Sequence, residues 1–167
     1  LGTLQKVLQR LLREKISVRD LLTVLETLAD YVPMTKNVDT LTGYVRQALA
    51  RTITGEYKDT DGNITVVMVS PDIEDSINKS VQHTEYESFV AADPSLIQAV
   101  VNNLQGFVTS FTDKGLQPIV LCSPNVRIYL RKILEKFFPN IIILSHNEIT
   151  REVNIKSLGM LAVQDAK

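Results

Sequence analysis

Through the first 55 residues of this chain apolar side chains return every three to four positions, and from Ile64 that rhythm gives way to short β-branched runs. Helical spacing lays apolar groups along one stripe, whereas a compact run such as Ile64 to Val69 suits a strand buried on both faces. A chain carrying both patterns in that order must build packed helices first and a helix-covered sheet second.

The details follow the same logic. Leu4, Val7, Leu8, Leu11 and Leu12 define a first helix. Ser17, with Asp20 three residues on, reads as the cap of a second, whose stripe is Val18, Leu21, Leu22, Leu25, Leu28, Ala29 and Val32 before Pro33 stops it. Asn37 or Asp39 starts a third, burying Val38, Leu41, Val45, Ala48, Leu49 and Ile53 and ending at Gly55. The polar stretch EYKDTDGN, residues 56 to 63, marks the boundary as a linker or turn. The division is thus a helical subdomain over 1–55 and an α/β subdomain over 64–167.

Beyond the boundary, Ser70 and Pro71 open a short helix to about Ser80, and Tyr86 to Ala91 reads as a weaker strand. Asp93-Pro94 starts a long helix ending at Gly115, with Leu96, Ile97, Val100, Val101, Leu104, Phe107, Val108 and Phe111 on its apolar side. Strand Pro118 to Cys122, helix Pro124 to Phe138, strand Ile141 to Leu144 and a last strand within Val153 to Val163 complete the pattern. The predicted fold class is α+β or α/β: a small helical bundle, then an α/β sandwich on a sheet of about four strands.

With 167 residues, 44% hydrophobic and 22% charged, the chain has the make-up of an ordinary globular protein. Its longest apolar runs fall far short of the about 20 residues that cross a bilayer. It begins at Leu1, already inside a helical pattern and without signal-peptide features, and so reads as a fragment. The single cysteine, Cys122, leaves no internal disulfide and no multi-cysteine zinc site. Net charge is −1, a poor match to a dedicated nucleic-acid binder, and it is uneven. Residues 1 to 55 hold eight Lys or Arg against five acids, and residues 56 to 93 hold two against nine.

Cys122-Ser123-Pro124 sits where a strand meets a helix, a favoured place for ligands in α/β sheets. Its structural reading is a buried thiol, an N-cap and a first-turn proline, since neither His83 nor His146 lies in a motif that would activate the thiol. Asp72, Glu74 and Asp75 favour a helix N-terminus, and TDGN lacks the rest of a calcium loop. Nucleotide, hydrolase and metal fingerprints are missing, so no enzyme activity and no cofactor are expected. Arg127 with Arg131, and Lys132 with Lys136, stand four apart and predict a basic exposed face on their helix. A rival reading takes ISVRDLLTVLETLADY as a helix-turn-helix, with Arg10, Arg13, Lys15 and Arg19 on phosphates, in a transcription factor with an α/β sensor domain. Its outward positions Thr23, Glu26, Thr27 and Asp30 suit base reading poorly.

LQKVLQRLLREKISVRDLLTVLETLADY, then YVRQALARTI, then PIVLCSPNVRIYLRKILEKFFPNIIILSHNEI resemble, in this order, the C-terminal cytoplasmic region of the FlhA/InvA family of export-gate membrane proteins. LADY and the TKN connector look like the flagellar branch rather than the injectisome branch. The resemblance implies a bacterial inner-membrane protein whose membrane-spanning half precedes this piece. Its cytoplasmic part would form a nonameric ring that receives export substrates, chaperones and other export-apparatus proteins, including the ATPase complex. It implies four cytoplasmic subdomains, of which this chain matches the helical third and the α/β fourth, while the main chaperone cleft belongs mostly to the second. Within that frame Arg10, Arg13, Arg19, Asp20 and Arg46, which fall off the apolar stripes, are predicted to be exposed at the subunit interface. Arg127, Arg131 and Lys132 are predicted to meet acidic partners, with no role for nucleic acid.

Overall fold

The computed structural model describes residues 1–84 and 88–163. Four helices come first: α1 (Gly2–Arg13), α2 (Leu21–Tyr31), α3 (Val38–Ala48) and α4 (Ala50–Tyr57). Asp20, rather than Ser17, caps α2, its carboxylate accepting from Thr23 N at 3.1 Å. Asn37 caps α3 through Thr40 N at 3.2 Å. The single helix expected over 38–55 is two, because Leu49 leaves helical geometry at φ −91°, ψ 16°. The break lets Leu49 and Ile53 both reach the core while Ala48 faces solvent. Gly55 lies inside α4, which runs on to Tyr57.

The face of α2 that is buried differs from the expected one. Val24, Thr27 and Leu28 point inward, and the ring of Tyr31 stacks on Tyr44 of α3 at 3.9 Å and 7°. Leu21, Leu22 and Leu25 are consequently exposed, as are Ala29, Val32 and, on α1, Leu12.

The second half contains β1 (Asn63–Val69), α5 (Pro71–Lys79), β2 (Val81–His83), β3 (Ser88–Val90), α6 (Pro94–Asp113), β4 (Ile119–Cys122), α7 (Pro124–Leu134), β5 (Ile142–Ser145), a 3₁₀ turn (His146–Glu148) and β6 (Asn154–Leu161). Ser70 and Asp93 cap α5 and α6 through Ile73 N and Ser95 N. Ser123 begins α7 without a capping bond from its hydroxyl; its backbone N–H instead donates to Glu74 Oε1 of α5 at 3.3 Å. β1, β4, β5 and β6 form one parallel sheet in the order β5-β4-β1-β6, as the predicted four strands require. β2 and β3 form a separate antiparallel pair. Three-residue strands leave no readable period, so β2, which ends at His83, carries no strand signal in the sequence. Of the strand expected from Tyr86, Ser88–Val90 is observed, and Tyr86 lies outside the described residues. The bulge in β6 holds Gly159 at φ 152°, and a Cβ there would meet the Phe107 ring of α6 at 2.7 Å.

Alternation along the buried strands builds three layers. Ile64, Val66, Ile119, Leu121, Ile142 and Leu144 join the cluster of Val7, Leu11, Leu41, Val45 and Ile53 from α1, α3 and α4. Val67, Val69, Val120, Cys122 and Ile143 join Ile73, Leu104, Phe111 and Leu130 from α5, α6 and α7. The N-terminal helices therefore cover one sheet face, and their polar seam with α7 and the 3₁₀ turn holds the candidate site.

Candidate functional site

Three arginines predicted to be exposed are in that seam: Arg46, Arg127 and Arg131 are only 1%, 3% and 7% exposed. Helix α3 lays Arg46 against the end of β5, where its Nε and Nη2 donate to Glu148 Oε2 and Oε1 at 2.8 and 2.9 Å. Arg127 makes the matching fork to Glu14 with Nη1 at 2.8 Å and Nη2 at 3.3 Å. Both guanidiniums also donate to the carbonyl of Ile143, and Arg131 Nη1 donates to that of Ile141 at 2.9 Å. The i, i+4 spacing of Arg127 and Arg131 was sound. Its face is turned toward the outer edge of β5, the edge strand of the sheet, where carbonyls and two carboxylates replace water.

Burial alone would raise the Glu14 carboxyl, yet the guanidiniums of Arg127 and Arg46 override it and hold the group at about 2. Glu148 is likewise pushed up by burial and carried below the usual carboxylate range by Arg46 and Arg127. Glu148 also accepts from Ser145 N at 3.1 Å, which fixes the 3₁₀ turn. Thr54 Oγ1 donates to the Glu148 carbonyl at 3.2 Å and accepts from Thr150 N, tying α4 to the same turn. Neither Glu14 nor Glu148 is conspicuous in the sequence; their meeting depends on segments 134 positions apart, in which Glu148 merely followed a loop histidine.

A second cluster centres on Asp39, buried at the start of α3 and paired with both Arg10 and Lys132, the latter at 2.7 Å. Lys132 also donates to the Ser88 carbonyl at 2.9 Å, while Asn37 Nδ2 donates to Ser88 Oγ at 2.8 Å. His83 Nδ1 lies 2.9 Å from the same hydroxyl. These bonds pin the β2–β3 pair to α3 and α7. The predicted surface residues Arg13, Arg19 and Asp20 are exposed, Arg13 and Arg19 without charge partners among the described residues. Leu12 of α1 and Leu21, Leu22 and Leu25 of α2 are exposed as well, and Leu12 and Arg19 line one shallow pocket.

Cys122 is enclosed in β4 with Sγ 3.7 Å from the Leu144 carbonyl, and burial pushes its thiol far up, so the nucleophilic form is disfavoured. A cleft of about 470 Å³ opens beside the Asp39 cluster, between α3, β2, the first turn of α7 and the 3₁₀ turn. Among the described residues no helix is long and apolar enough to cross a membrane.

The FHIPEP family matches residues 1–154. Flagellar biosynthesis protein FlhA of Bacillus subtilis (strain 168) is 38% identical over 162 residues, covering 97% of this chain and 24% of that protein. Invasion protein InvA of Salmonella typhimurium (strain LT2) is 33% identical over 158 residues, covering 91% and 22%. The chain thus spans about a quarter of the length of these curated relatives. Among solved structures, the Chlamydia pneumoniae CdsV and CdsO complex aligns with a TM-score of 0.84 at 30% identity, covering 96% of this chain and 47% of that one. Nonameric EPEC SctV-C aligns at 0.79 and 30% identity, covering 95% and 50%.

Proposed function

This chain belongs to the FHIPEP family, and from that premise we propose that it is the docking and ring-forming part of a flagellar or type III protein-export gate. In this reading it is a non-enzymatic platform on the cytoplasmic side of a bacterial inner-membrane protein. It assembles with copies of itself and receives export substrates, chaperones and export-apparatus proteins, the ATPase complex among them. Family membership leaves the transcription-factor alternative without support.

The observation that carries the reading is the outer surface of α1 and α2. Arg13 and Arg19 stand there without internal charge partners beside the exposed Leu12, Leu21, Leu22 and Leu25. Exposed leucines together with unanswered arginines are the composition of a protein interface. The nonameric state of SctV-C and the complex of CdsV with CdsO, each of similar fold, support self-assembly and partner docking. Asp20, although exposed, is occupied as a cap. Arg46, Arg127 and Arg131 hold the platform together instead of meeting partners. Lys132, also on the predicted basic face of α7, is 31% exposed but is likewise engaged inside the chain, by Asp39 and the Ser88 carbonyl.

Replacing Arg13 and Arg19 by glutamate in the full-length protein is expected to weaken ring assembly and secretion. The melting temperature should stay unchanged, since neither side chain has a described partner to lose. Normal export by the doubly reversed protein removes this surface from the interface.

A further inference from the structure

Val81 and His83 of β2 stand along one side of the 470 Å³ cleft. In the β2–β3 pair, Val81 faces Val90, Gln82 faces Phe89 and His83 faces Ser88. Just before it, Ala91 N donates to the Ser80 carbonyl at 2.9 Å. Antiparallel pairs alternate between bonded and non-bonded, so Gln82 and Phe89 exchange hydrogen bonds while the pairs at Val81 and His83 do not. The position of Ser88 agrees, because its carbonyl points away from β2 and accepts from Lys132. Val81 and His83 therefore direct N–H and C=O groups away from β3, and both residues line the cleft. Among the described residues no strand pairs with that edge.

The rest of the lining is electrically spent. Asp39, Arg127 and Glu148 reach the cleft but are neutralised by Arg10 and Lys132, by Glu14 and by Arg46. What remains is carboxamide, hydroxyl, imidazole and apolar surface. The side chains of Gln47, Asn78 and Asn125 make no hydrogen bond to another described residue, and each offers a donor and an acceptor together, as a peptide group does. Tyr44, held by its stack on Tyr31, and Ile128 supply flat apolar walls. A two-stranded ribbon is marginal alone and gains from a third strand.

We propose that the outer edge of β2 takes an extended, uncharged stretch of polypeptide as a third strand laid along this cleft. Its backbone pairs with Val81 and His83, and its side chains alternate between the amides and the Tyr44–Ile128 wall. The identity of that stretch as part of an export client rests on the export-gate reading; the strand pairing itself does not.

The test titrates the isotopically labelled chain with an eight-residue peptide of alternating threonine and valine, acetylated and amidated at its ends. Amide shifts are followed by nuclear magnetic resonance. Shifts should centre on Val81, His83 and Asn125. Val81→Pro removes an outward N–H that makes no bond to β3, so it should weaken binding about tenfold, as loss of a backbone hydrogen bond does. A peptide N-methylated along both edges should not bind the unaltered chain, which keeps the test independent of how the proline variant folds. Equal binding by the methylated peptide, or tighter binding when glutamate replaces threonine, overturns the proposal. So does a lack of shifts at any soluble concentration, or shifts centred on Leu21 to Leu25. Charge reversal at Arg13 and Arg19 should leave peptide binding alone and Val81→Pro should leave ring assembly alone, so the two readings fail separately.

Discussion

Helices α2 and α7 invert each other. Both are eleven residues long, and both carry a clear i, i+4 pattern. In α2 the pattern is apolar and much of it, Leu21, Leu22 and Leu25, faces solvent; in α7 the pattern is basic and Arg127 and Arg131 face the core. Periodicity found each helix, started α2 too early, carried α7 past its end at Leu134 to Phe138, and misjudged which side was covered. The difference lies in what each helix meets. α2 packs mainly against α3, among the described residues, and that contact covers only part of a leucine-rich surface. α7 sets its arginines along the edge of a parallel sheet, where the carbonyls of Ile141 and Ile143 need donors and where Glu14 and Glu148 arrive from remote segments.

The sharpest way to break this comparison is to remove one charge from the buried side. Arg46→Ala takes from the enclosed Glu148 its two-pronged partner and leaves it only Arg127 Nε at 3.6 Å, and breaking a buried ion pair costs about 3–5 kcal/mol. Urea unfolding should show that loss. A change under about 1 kcal/mol, the usual value of a surface ion pair, would return Arg46 to the solvated face that spacing alone suggested.

That misreading marks the limit of what was legible. Caps, breakers and stripes are local, so α1, the main strands and the Ser70 and Asp93 caps could be read from neighbouring residues. The packing of a whole helical block onto one sheet face could not, because it depends on which of several apolar stripes finds the sheet. The ion cluster was hidden for the same reason. Its arginines were visible as a basic face, but Glu14 sits between Arg13 and Lys15 and looks like an ordinary surface acid. Only Arg13 and Arg19, with no described charge to answer them, combine a sequence signal with an open position.

A smaller effect should follow from acid. Glu14 is held at about 2 in the folded chain against an ordinary 4.5, so the folded state binds its proton less readily than the unfolded one. Its contribution is therefore complete above pH 4.5 and fades as pH falls from there toward 2, a loss on the order of 3 kcal/mol. Stability measured by urea at stepped pH should drop across that window. In Glu14→Gln the drop should be visibly shallower; an unchanged slope would place the acid sensitivity elsewhere.

The least expected effect on stability is on the apolar side of the comparison. Leu22 is 67% exposed, the most open of the α2 leucines, so Leu22→Ser removes a side chain that solvent already surrounds. Stability should move by no more than about 0.5 kcal/mol, the usual range for a surface site. What should change is association, since an exposed leucine in an apolar patch lowers free energy only when a second surface covers it. Sedimentation of the full-length protein should then shift toward smaller species at equal concentration, with the melting temperature held. A fall in melting temperature without a change in sedimentation would mean that Leu22 supports its own helix block. In that case the inversion between α2 and α7 would reduce to the buried charges alone.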